Sequence, residues 1–127
     1  MSGVASGHLI AVVDDERHVR EAIENLLKSA GFRAEGFASA EDFLHAPPFA
    51  ETLCVVLDMQ LPGMSGLQLQ RRLCELGMRM PIIFVSATDG HLREQALRAG
   101  ALAFLEKPFL DEELLGAVHT AIAAGLS

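Results

Sequence analysis

Short apolar runs alternate with amphipathic stretches from one end of the chain to the other. Leu9-Ile10-Ala11-Val12-Val13 is apolar at every position and stops at Asp14-Asp15. A run of that length without polar alternation predicts a strand buried on both faces. Val19, Ala22, Ile23, Leu26 and Leu27 then recur at helical spacing, and Gly31 supplies a stop because glycine accepts the left-handed conformation. Residues 32–37 predict a second, more polar strand near a sheet edge. Ser39 with Asp42 three positions on marks a helix N-cap, and that helix ends by Pro47-Pro48. Residues 53–57 form the third predicted strand, closing in Asp58, and the loop 59–65 carries Pro62 and Gly63. Leu69, Leu73 and Leu76 place the next helix on its apolar face. Pro81 opens a fourth strand over 82–85, with Ser86 at its end. Leu92, Ala96 and Ala99 mark a weakly amphipathic fourth helix closed by Gly100. Residues 101–105 predict the fifth strand, which runs to Lys107-Pro108. Asp111 is expected to cap a last helix with the stripe Leu114, Leu115, Val118, Ala121 and Ile122.

Five strand-helix units in succession imply parallel strands joined by right-handed crossovers, hence a three-layer, doubly wound α/β fold of (βα)5 type. A five-stranded parallel sheet of this kind has the flavodoxin-like order 2-1-3-4-5, with its ligand crevice at the carboxyl ends of the strands near the switch between strands 1 and 3.

Composition narrows the classes. The chain has 127 residues, half of them hydrophobic, which suits one domain with a real core. Ten Lys+Arg against 17 Asp+Glu leave a formal charge of −7, so the domain is repelled by nucleic-acid phosphates and is expected not to bind DNA directly. Residues 1–7 lack the basic and apolar regions of a leader, and the apolar runs are too short to cross a bilayer. Cys54 and Cys74 have no metal-ligand spacing and read as reduced, small apolar residues. His8, His18, His45, His91 and His119 are scattered without ligand spacing, and Met59, Met64, Met78 and Met80 read as packing residues. A cytoplasmic protein that does not engage membranes is expected.

The strand ends carry the chemistry. Strand 1 leads to Asp14-Asp15, strand 3 to Asp58, strand 4 to Ser86 and strand 5 to Lys107. Singly, each has a bland explanation: a strand-end Asp is commonly a helix cap, and a Ser or Lys is commonly surface. Together, in an order that makes strands 1, 3, 4 and 5 neighbours, they should converge on one patch. Crowded carboxylates raise one another's pKa and strain the fold unless a cation neutralises them. An open, all-oxygen site suits Mg²⁺, which keeps several waters and favours phosphate co-ligands. A carboxylate placed there can attack phosphorus, with a lysine and a hydroxyl holding the phosphoryl oxygens.

The segments Val12-Val13-Asp14-Asp15-Glu16, Val55-Val56-Leu57-Asp58-Met59-Gln60-Leu61-Pro62-Gly63-Met64-Ser65-Gly66, Ser86-Ala87 and Glu106-Lys107-Pro108-Phe109 resemble, in order and spacing, the motifs of response-regulator receiver domains (CheY-like). The likeness runs from about His8 to Ala124, and residues 99–109 look most like the FixJ type of two-component regulator. The resemblance implies that Asp58 is the phosphoacceptor, served by a sensor histidine kinase, in a signalling switch that phosphorylates and dephosphorylates itself rather than a turnover enzyme. It implies Mg²⁺ (or Mn²⁺) held by Asp15, Asp58 and the Gln60 backbone carbonyl, with Asp14 acting through water. Ser86 and Lys107 would contact phosphoryl oxygens, and Phe104 would turn from exposed to buried as Ser86 moves. The helix 4–strand 5 surface would then control homodimerisation or an output domain, DNA-binding and transcriptional in this type. Gln60 and Thr88 stand where residues influence phosphoryl lifetime, and a cis Lys107-Pro108 bond is a family feature left open here. The expected layout is an N-terminal extension over 1–7 and a receiver domain over 8–125, with the effector domain absent from this chain. The chain is either an isolated receiver or, the favoured alternative, one excised from a longer protein.

Two rivals fit less well. An aspartyl-phosphate hydrolase of the haloacid-dehalogenase type wants a second Asp two residues after the nucleophile, where Gln60 stands. A flavodoxin-like electron carrier wants a Ser/Thr/Gly phosphate loop, where Asp14-Asp15-Glu16 would repel the flavin phosphate.

Overall fold

Five consecutive apolar residues form β1 (Leu9–Val13), and every one of them is buried, because strands flank this one on both sides and helices cover both faces. The computed structural model describes residues 9–46, 51–87 and 90–126. The extension 1–7, His8, the Pro47-Pro48 helix stop and Thr88 fall outside them. After β1 come α1 (Arg17–Ser29), β2 (Arg33–Phe37), α2 (Ala40–His45), β3 (Thr52–Asp58), α3 (Gly66–Glu75), β4 (Ile82–Ser86), α4 (Arg93–Arg98), β5 (Ala103–Glu106) and α5 (Asp111–Leu126). All strand pairs are parallel, in the order β2-β1-β3-β4-β5 that the alternation predicts. Among the described residues, no helix is long and apolar enough to cross a membrane.

The two-residue period of the strands sorts the core into two layers. Ala11, Val13, Val55, Leu57 and Phe84 face one side, where Phe43 of α2, Leu69 and Leu73 of α3 and Ala96 of α4 cover them. Ile10, Val12, Cys54, Val56, Ile83 and Val85 face the other, against Ile23 and Leu27 of α1 and Leu114, Val118 and Ala121 of α5. β2 is the exposed edge anticipated from its polar residues.

Local signals end the helices largely where the sequence places them. Ser39 Oγ accepts the Asp42 N–H at 3.0 Å at the start of α2. Ser65 and Gln68 form a reciprocal capping box at the start of α3. Gly31 and Gly100 adopt φ of 96° and 108°, conformations that a side chain would strain.

Four expectations change. Asp111 lies inside the first turn of α5 rather than capping it; the Leu110 N–H is bonded instead by Glu113 Oε1 at 2.8 Å. Leu76 is exposed because it stands at the C-cap of α3, beyond the face that carries Leu69 and Leu73. Cys74 is exposed, unlike Cys54, whose burial between sheet and helices pushes its thiol up to about 12. α4 is shorter than its apolar pattern suggested. A single 3-10 turn, Gly90–Leu92, precedes its six residues, Ala96 alone is buried, and Ala99 is exposed.

The start of α3 is pressed against the end of β3. A Cβ on Gly66 would stand 2.7 Å from the Asp58 carbonyl oxygen, 3.0 Å from the Phe84 ring and 3.1 Å from Met59 Cα. Backbone atoms cannot yield as a flexible side chain would. Gly66→Ala is therefore expected to destabilise the protein by about 1–3 kcal/mol, read from urea unfolding followed by circular dichroism; an unchanged midpoint would refute the close packing.

Candidate functional site

The sheet's hydrogen bonding continues one residue past the strands and so fixes the side chains at their ends. Asp14 N–H donates to Phe37 O at 3.1 Å, Met59 N–H to Val85 O at 2.9 Å and Lys107 N–H to Ser86 O at 2.8 Å. Register does the rest: Val13 pairs with Leu57, Asp58 with Val85 and Ser86 with Glu106. Asp14, Asp58, Ser86 and Lys107 consequently stand along one edge of the sheet, at the switch point where β1 and β3 send their connections to opposite faces.

Carboxylate oxygens of Asp14, Asp15 and Asp58 all lie within 4.8 Å of one another. Asp14 and Asp58 are buried and Asp15 is exposed, so the cluster opens to water on one side. Lys107 Nζ reaches Asp14 Oδ2 at 3.0 Å and Asp58 Oδ2 at 3.7 Å. One ammonium against three carboxylates leaves two negative charges uncompensated within the cluster. At about 4 Å a pair of unit charges is worth about 4 kcal/mol at an effective dielectric of 20, so this imbalance is large on the scale of domain stability.

The oxygens are not equivalent. Asp14 Oδ1 accepts the Glu16 N–H at 2.9 Å and its Oδ2 pairs with Lys107, so both are engaged within the protein. Asp58 Oδ1 accepts the Gln60 N–H at 3.1 Å, whereas Oδ2 turns toward Lys107. Burial pushes the Asp58 carboxyl up to about 6; Asp14 and Asp15 add to the rise, while the Gln60 N–H and Lys107 oppose it. Ser86 is fully buried at the end of β4.

The donor set is chemically suited to Mg²⁺ or Mn²⁺: all oxygen, anionic, crowded, and open on the Asp15 side for coordinated water. Asp15 and Asp58 offer carboxylate oxygens that could hold such an ion. Asp14, with both oxygens engaged, suits contact through water.

The sequence brought Asp14, Asp15, Asp58, Ser86 and Lys107 to one edge, and the structure places them there. Two features differ from expectation. Lys107 sits closer to Asp14 than to Asp58. Phe104 is already buried, its ring centroid 6.4 Å from that of Phe84, rather than exposed; an aromatic side chain gains most by packing inward against the apolar layer. The Lys107-Pro108 bond is cis. Arg20, which sequence reasoning missed, donates from Nη1 to the Asp14 carbonyl oxygen at 2.9 Å and so anchors the acidic turn from α1. Its position one turn into an amphipathic helix was the only available signal, and that is shared by many surface arginines.

A doubly wound sheet with an acidic cluster at its switch point defines a class, the receiver-type α/β domains of signalling proteins. Comparison with known proteins makes this specific: residues 10–119 match the response regulator receiver domain, and the chain belongs to that family. It is 44% identical over 115 residues to the response regulator protein TmoT of Ectopseudomonas mendocina, covering 90% of this chain and 52% of that one. It is 38% identical over 117 residues to the transcriptional regulatory protein FixJ of Bradyrhizobium diazoefficiens, covering 91% and 57%. The chain thus spans little more than half the length of these curated relatives. Among solved structures, FixJ-N superposes with a TM-score of 0.82 at 33% identity, over 91% of this chain and 94% of that one.

The raised Asp58 carboxyl makes a signed prediction for metal-free protein. Between about pH 4, where an unfolded aspartate titrates, and about 6, the folded chain holds more protons than the unfolded one, so stability falls as pH rises. Asp58→Asn should flatten that slope and stabilise the metal-free protein at pH 7 by about 1–2 kcal/mol after solvent screening. Millimolar Mg²⁺ should raise the melting temperature of the parent more than that of the variant. Thermal unfolding with and without chelator checks both; parallel pH curves for the two proteins would refute the raised Asp58 carboxyl.

Proposed function

We propose that this domain is the phosphoacceptor of a two-component pathway, with Asp58 taking a phosphoryl group from a sensor histidine kinase. The observation that carries this reading is the state of Asp58: Oδ1 is engaged by the Gln60 N–H, while Oδ2 faces Lys107 at 3.7 Å inside the acidic cluster. An Oδ2 lone pair attacks phosphorus as the bond from phosphorus to the donor histidine nitrogen breaks, and that nitrogen retains the bonding electron pair. The product is a mixed anhydride on Asp58. Lys107 then pairs with one phosphoryl oxygen, exchanging part of its contact with Asp14, and the Ser86 hydroxyl donates to another. Mg²⁺, when bound by Asp15, Asp58 and the Gln60 carbonyl, supplies the charge neutralisation that three carboxylates and a phosphoryl group require. Asp58 is regenerated when water attacks phosphorus and the bond from phosphorus to the Asp58 oxygen breaks, releasing inorganic phosphate and the free carboxylate. The domain therefore acts as a timed switch and not as a turnover enzyme; Gln60, two residues on, is exposed.

The output surface in this reading is α4 with β5. α4 buries only Ala96 and is tied to β5 by Arg93 Nη1, which donates to the Phe104 carbonyl oxygen at 3.2 Å. Because Phe104 is already inward, phosphorylation would select and hold this packing rather than create it, a population shift of a few kcal/mol. The rearranged face then controls homodimerisation or an attached output domain, which by the nature of the relatives is transcriptional. With a formal charge of −7, the receiver itself does not contact DNA.

The core of the proposal is tested by intact-mass measurement after incubation with Mg²⁺ and acetyl phosphate. One added phosphoryl group in the parent and none in Asp58→Asn is expected; equal labelling of both would place the acceptor elsewhere. For the switch, Phe104→Ala should keep phosphorylation of Asp58 but lose phosphorylation-dependent dimerisation, measured by analytical ultracentrifugation. Identical dimerisation of variant and parent would remove Phe104 from the switch.

A further inference from the structure

The loop between β3 and α3, residues 59–65, carries Gln60, whose backbone N–H is bonded to Asp58 of the acidic cluster. Its own unit ties it down at both ends: Gln60 N–H to Asp58 Oδ1 at 3.1 Å, Gly66 N–H to Met59 O at 3.3 Å and Ser65 N–H to Gln68 Oε1 at 2.8 Å. A further tie comes from a different element. The Met64 N–H donates to Glu41 Oε2 on α2 at 3.1 Å, across 23 positions of sequence.

That contact is built from both sides. Glu41 lies in the first turn of α2, whose start is set by the Ser39 cap and whose neighbouring Ala40 and Phe43 are buried. The base that carries the carboxylate is therefore rigid. On the loop, Gly63 has φ of 73°, and a Cβ there would stand 2.9 Å from Glu41 Oε2. The missing side chain lets the carboxylate approach the backbone, and the left-handed turn aims the next N–H at it. A backbone N–H given to an ionised acceptor is among the stronger hydrogen bonds.

We propose that Glu41 is a positioning residue for the phosphoacceptor site, a strut that fixes the 59–65 loop from α2 and so holds the Gln60 carbonyl and N–H in register with Asp58. The proposal rests on the metal-assisted reading above. It assigns to α2, which contributes no group to the acidic cluster, a direct part in setting metal affinity. Partners that orient a ligand from behind commonly govern metal affinity as strongly as weak ligands do.

The test uses the full chain in three forms: parent, Glu41→Ala and Glu41→Gln. Amide hydrogen exchange of metal-free protein is read residue by residue by NMR, and Mg²⁺ affinity by calorimetry. Glu41→Ala should speed exchange at Met64 and Gln60 by about ten-fold while leaving β1 and β3 amides near parent values, and should weaken Mg²⁺ about ten-fold. Glu41→Gln, whose amide oxygen can still accept the Met64 N–H, should restore both to within about three-fold. Faster exchange spread through the sheet would show a general loss of stability and overturn the strut. So would unchanged loop exchange, unchanged Mg²⁺ affinity in Glu41→Ala, or failure of Glu41→Gln to rescue. A parent that binds no Mg²⁺ would instead overturn the metal-assisted reading, with the exchange at Met64 and Gln60 still deciding whether the strut exists.

Discussion

Three carboxylates share the carboxyl edge of the sheet with one ammonium, and much of the molecule is arranged around holding them there. Left in water they would separate; left in a low-dielectric core they would protonate. The parallel sheet does neither. It buries Asp14 and Asp58 at adjacent strand ends, leaves Asp15 exposed, and extends its hydrogen bonding by one residue to pin each backbone. The cost is visible in the raised Asp58 carboxyl, and Lys107 offsets part of it through Asp14 and Asp58 together. A site kept short of positive charge in this way is suited to a ligand that supplies it, a divalent cation above all.

The surroundings of the cluster divide into rigid and loosely held parts. On the rigid side, Gly66 presses α3 against β3, the capping box fixes the start of α3, Arg20 holds the Asp14 carbonyl, and Glu41 holds the 59–65 loop. On the other side, α4 is a short helix resting on one buried alanine, joined to its neighbours by Gln70 Nε2 donating to the Ala96 carbonyl oxygen at 3.3 Å and by Arg93 at the Phe104 carbonyl. The proposed switch would use this asymmetry: a chemical event of about a bond length can bias a distant surface only if the site does not yield and the responding element does.

Sequence patterning reached most of the fold. Four apolar runs and one more polar stretch became the five strands, the positive-φ glycines at 31 and 100 closed their helices, and Ser39 capped α2. It failed at helix ends, where one residue decides whether a side chain caps or is capped, as with Asp111 and Glu113. It also failed where a helical face runs out, as with Leu76 and Ala99. The acidic cluster was legible because each member ends a strand, and strand order follows from alternation. Arg20 and Glu41 were not, because each acts on backbone of another segment, and nothing in their own neighbourhood distinguishes them from helix-surface charges.

The sequence by itself determined the order of elements, the two-layered core and the identity of the groups at the strand ends. These are consequences of periodicity and short-range sterics, which depend on residues a few positions apart. Only the tertiary structure decided that Lys107 lies nearer Asp14 than Asp58, 93 positions away in the first case, that Phe104 is packed inward on Phe84, and that the Lys107-Pro108 bond is cis. Those outcomes turn on ångström-scale separations between elements remote in sequence, set by sheet twist and by how side chains fill the layers between sheet and helices. No local pattern encodes them.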